Sequence, residues 1–150
     1  MSQSLANGAA PSNFQCLGAE LLEALVKNRP SPAAQKALWM AGMNWVADGG
    51  VIPMHLYLRL PSTPAKVAQA TRDFWLSEAA NLIDAPSVYK KAAALHVELN
   101  TFVTRGPWRS WESLRSPPED ASELRKRLFY AMKFGKGKII EERQIHRILS

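Results

Sequence analysis

The residues best suited to chemistry in this chain are cations, and they gather towards its C-terminal end. Residues 105–150 hold 11 Lys/Arg against 6 Asp/Glu, whereas residues 1–104 hold 8 against 7. Arg125, Lys126 and Arg127 are consecutive, Lys133, Lys136 and Lys138 follow, and Arg143 and Arg147 stand one helical turn apart. Fixed cations at this density attract polyanions and bind phosphate with an affinity that salt weakens. The competing reading is a solvated helical face that only keeps the chain dissolved.

A second group pairs aromatic rings with guanidinium groups. Trp108 and Trp111 are three residues apart, so one helical turn puts both rings on one face, with Arg105, Arg109 and Arg115 around them. Exposed Trp and Arg dominate protein interfaces, and the same pairing stacks on unpaired bases. In a small domain, however, such rings commonly wedge a connection against the core. Trp39, Trp45 and Trp75 lie within helical patterns and read as core.

A catalytic centre does not assemble from these residues. His55, His96 and His146 belong to separate segments, and none has a companion at metal-ligand spacing. There is no His-Glu-x-x-His, no glycine-flanked serine, and only one cysteine, Cys16. Gly135-Lys136-Gly137-Lys138 lacks the spacing and the Ser/Thr of a phosphate loop, and it follows a helix instead of a strand. The expectation is a binding protein with no enzymatic activity, cofactor or metal.

The elements that must position these groups are helices. Ser31-Pro32, Thr63-Pro64 and Ser116-Pro117 are start signals, because the hydroxyl caps a free N–H and proline at the first position loses no needed donor. Ser116 with Glu119 also fits a capping box. Apolar residues at spacings of three and four then predict helices over about 13–28, 32–48, 64–83, 87–104, 117–134 and 139–149. The fold expected is all-α: a single compact bundle of about six helices, with residues 1–12 as a frayed tail and 13–150 as one domain. Its last two helices form a basic hairpin over 117–149, a helix-turn-helix in the loose sense.

One segment departs from the helical period. His55-Leu56-Tyr57-Leu58-Arg59-Leu60 alternates like a half-buried strand, predicting an irregular or short extended stretch near 51–60 with leucines inward and Tyr57 outward. An edge without a partner in its own chain would pair with a second copy, so a homodimer through 51–60 is expected.

The remaining composition sets limits. The chain has 150 residues, a formal charge of +6 and a pI near 9.7. That is long enough to bury a core without disulfides or metal. No apolar run approaches the ~20 residues of a membrane span, and Met1–Ser12 lacks the basic and apolar parts of a secretory signal. A cytoplasmic or other reducing compartment is expected, with Cys16 buried and inert and no membrane partner. The functional expectation is a small basic helical protein, nucleic-acid-binding or regulatory, that contacts DNA or RNA phosphates through the C-terminal hairpin. The alternative is a protein-interaction module (adaptor, chaperone or inhibitor) that meets an acidic partner through the Trp/Arg surface at 105–115.

Overall fold

The computed structural model describes residues 21–150, all of whose regular structure is helical. Residues 21–26 are helical and run into a left-handed Asn28 (φ 49°). After them come α1 (Pro32–Ala47), α2 (Met54–Leu58), α3 (Pro64–Ala80), α4 (Val88–Thr104), α5 (Trp108–Trp111), α6 (Glu123–Phe134) and α7 (Glu142–Leu149). The tail at 1–12, Cys16 and most of the helix expected over 13–28 lie outside the described residues.

Start signals explain most boundaries. The Ser31 hydroxyl accepts from the Ala34 N–H at 3.0 Å, with Pro32 opening α1, and Ser87 accepts from Lys90 N–H at 3.2 Å to open α4. Gly49 and Gly50, at φ 74° and 69°, take the left-handed turn that closes α1. The capping box at Ser116 is not used. The α6 helix begins later, with Ser122 accepting from Arg125 N–H, so Glu119 and Asp120 belong to the preceding loop and not to a helix start.

The chain divides into two compact units, the first ending at Val67 and the second spanning Ala68–Ser150. In the first, α1 packs on α2, and the strand expectation fails there. Residues 54–58 form a helical turn after Pro53, ended by Arg59 in the left-handed region at φ 57°. Tyr57 decides this: its ring is buried and its hydroxyl donates to the Asp48 carboxylate, whereas Leu56 faces outward. That hydrogen bond, then burial, then the Asp48 charge raise the Tyr57 pKa above its ordinary value. A dimer paired strand to strand through 51–60 therefore has no strand to use.

The α1 helix is turned the opposite way from a usual surface helix. Ala34, Ala37 and Ala41 are its buried residues, while Leu38, Met43, Val46 and Trp39 are 53, 57, 69 and 70% exposed. Trp39 is thus not a core residue. Both stripes have helical spacing, and periodicity cannot say which one faces inward.

The second unit holds the larger core. Leu76, Ala79 and Ala80 of α3 meet Leu95, Leu99 and Phe102 of α4, Leu128, Phe129 and Met132 of α6, and Ile145 of α7. Burying each of the large side chains contributes roughly 1.5–3 kcal/mol. The α4 and α7 helices pack on one another, and there the Tyr89 and His146 rings meet edge to face at 6.1 Å.

Candidate functional site

The basic residues of the second unit separate into those held by the protein and those left to solvent. Glu123, in the first turn of α6, engages Arg127 at 2.7 Å and Lys126 at 3.4 Å. The hydrogen bond from Arg127, followed by that from Lys126, holds the Glu123 carboxyl below its usual pKa. Arg127 also donates to the Glu123 main-chain oxygen at 3.2 Å. Lys133 turns back on the chain, donating to the main-chain oxygens of Glu112 and Leu114 at 2.6 Å each and standing 5.7 Å over the Phe129 ring. These three cations serve the fold first.

Arg125, Lys136, Lys138, Arg143 and Arg147 are exposed and form no ion pair or side-chain hydrogen bond among the described residues. Lys136 and Lys138 sit on the turn between α6 and α7. There Lys136 and Gly137 are left-handed at φ 54° and 76°, and the Gly137 N–H closes on Met132 O at 3.0 Å. The glycine is needed at a conformation that side chains rarely adopt. Gly135 packs closely as well: a Cβ there would stand 3.0 Å from Ala131 O and 3.2 Å from the Arg72 side chain.

Arg143 and Arg147 are brought together by the amphipathic pattern of α7. Ile145 is fully buried, and the two arginines, one turn apart, line a groove of about 560 Å³. Gln69 and Asp73 of α3 form the other wall, with Gln144 and Glu141 beside the arginines. Asp73 is already occupied by Arg72, which reaches one carboxylate oxygen through two nitrogens at 2.7 and 2.9 Å. Glu141 is exposed and dilutes the positive potential of the groove. Nothing in the local sequence joins Gln69 and Asp73 to α7; the tertiary fold of the second unit sets them on the same groove.

Of the two readings of the tryptophan pair, the packed one describes Trp108. Trp108 is only 6% exposed and sits among Phe102 and Phe129, at ring distances of 6.2 and 6.0 Å. Trp111 is half-buried with its edge on Phe102 at 5.9 Å. Arg105, Arg109 and Arg115 remain exposed around them. The arginines stand free while the Trp108 ring belongs to the core.

Among the described residues no group of three or more His, Cys, Asp or Glu side chains could hold a metal ion, and no helix is long and apolar enough to cross a membrane. Comparison with protein-family models, curated proteins and solved structures gave no match to this chain.

Proposed function

We propose that the α6–α7 hairpin binds the phosphate backbone of a nucleic acid. The observation that carries this reading is the set of five exposed cations without protein partners, Arg125, Lys136, Lys138, Arg143 and Arg147, on one hairpin and its turn. Lys126 and Arg127, by contrast, are already engaged by Glu123. Contacts of this kind position a protein on the backbone and carry no base information themselves. In the groove, Arg143 and Arg147 supply forked donors suited to a phosphate group.

Fluorescence anisotropy with labelled duplex DNA, single-stranded DNA and RNA tests the reading. Five phosphate contacts give a log–log salt slope of about −3.5 to −4.5. Replacing Arg143 and Arg147 together by alanine is expected to weaken binding alike across sequences and to reduce the slope by about two. No binding of any of the three probes at 50 mM salt rejects the proposal.

A further inference from the structure

In the first unit, the outward face of α1 is built like an interface. We infer that it is the contact through which two copies of this chain associate, α1 against α1 across a two-fold axis. Leu38, Trp39, Met43 and Val46 are each more than half exposed, and with Trp45 and Met54 they line a shallow apolar groove of about 670 Å³.

Area favours a macromolecular occupant. A tryptophan alone offers ~200 Å², and Trp39 stands here in a row of four large apolar side chains that are each more than half exposed. Monomers rarely leave more than a few hundred Å² of contiguous apolar surface bare.

Charge and shape favour a second copy. The only ionisable side chain on α1 is Lys36, and no acid or cation lines the groove, so the face does not repel its own image. A basic or acidic partner, conversely, finds no opposite charge there. Gly42 lies mid-face between Trp39 and Val46, and a Cβ built on it meets nothing within 4 Å. A second helix can therefore approach closely at this point, with Trp39 of each copy packing against Met43 and Val46 of the other. A two-fold contact needs this kind of self-complementary patch.

Sedimentation velocity and light scattering of the full chain, from 1 to 100 µM, test the inference. The expected mass is twice 16.7 kDa at the upper concentrations. Trp39→Glu and Val46→Glu change exposed positions, and each is expected to return the mass to 16.7 kDa with the circular dichroism spectrum unchanged. Gly42→Ala is the independent check: a Cβ there meets nothing within 4 Å in the monomer, so only the close crossing is lost and the dimer weakens at least tenfold. A chain that is monomeric at 100 µM overturns the inference, whether or not it adsorbs to phosphatidylserine vesicles. So does a dimer that survives all three substitutions.

Discussion

Lys133 of α6 donates its ammonium to the main-chain oxygen of Glu112 at 2.6 Å, across 21 residues of sequence. The same group reaches the Leu114 oxygen, so this cation fastens the loop after α5 to the side of α6. Lys133→Met keeps the apolar stem over Phe129 and removes the donors. It is expected to cost about 1 kcal/mol of stability and to leave the salt dependence of nucleic-acid binding unchanged. Lys138→Met is expected to do the reverse, lowering the salt slope by about one with no change in melting temperature. Urea titration and anisotropy on both variants check the pair.

Glu123 restrains two cations, and its removal should release them. With Glu123→Gln, Lys126 and Arg127 become available to phosphate, and the salt slope is expected to steepen by one to two. Stability should move the other way. The folded pKa of Glu123 lies below the ordinary 4.5, so its ionised form is favoured in the fold. Its contribution is complete above that value and is lost as pH falls through the depressed folded pKa. Acid titration of the wild type and of Glu123→Gln should therefore agree least near neutrality and converge in strong acid.

Glu141 shares the groove with Arg143 and Arg147. Glu141→Gln removes the opposing charge and is expected to raise affinity for all nucleic-acid probes by severalfold at low salt. The gain should disappear at high salt, which anisotropy across a salt series would show. An unchanged affinity at low salt would place the bound phosphates away from this groove.

Gly106 is fixed by close approach. A Cβ there would stand 2.7 Å from Phe102 O and 2.8 Å from Phe102 Cα, both backbone atoms at the end of α4. Gly106→Ala is expected to cost about 1–3 kcal/mol. Trp108→Ala, which empties a site between Phe102 and Phe129, should cost about 3–5 kcal/mol. Arg109→Ala, at an exposed position without a partner, should stay within about 0.5 kcal/mol. Thermal melts of the three variants would rank them.

Local capping chemistry makes α1 readable, because Ser31 acts through a neighbour three residues away. The α4 helix is legible from its apolar spacing, whereas its Ser87 cap emerges only in the structure. The α6 start was misread for the same reason: Ser116 and Ser122 offer the same hydroxyl, and only the structure selects between them. The alternation at 54–60 misled because the buried Tyr57 is anchored by Asp48, a contact between side chains that hydrophobic periodicity does not register. For the site, the sequence located the cations but not their state. That Lys133 is held by Glu112 while Lys136 stands free depends on a fold of the loop that no spacing rule contains.

The α1 face, uncovered among the described residues, and the proposed phosphate-binding hairpin together predict two opposed responses to excluded salts. Sulfate and other excluded salts strengthen the burial of apolar surface, so they should draw α1 faces together. The same salts screen phosphate contacts and compete with counterion release, so they should strip nucleic acid from the hairpin. Ammonium sulfate is then expected to leave an associated, nucleic-acid-free protein, and a low-salt chloride buffer a dispersed, loaded one. A purification moved between those two conditions would separate the chain from bound polyanion in one step.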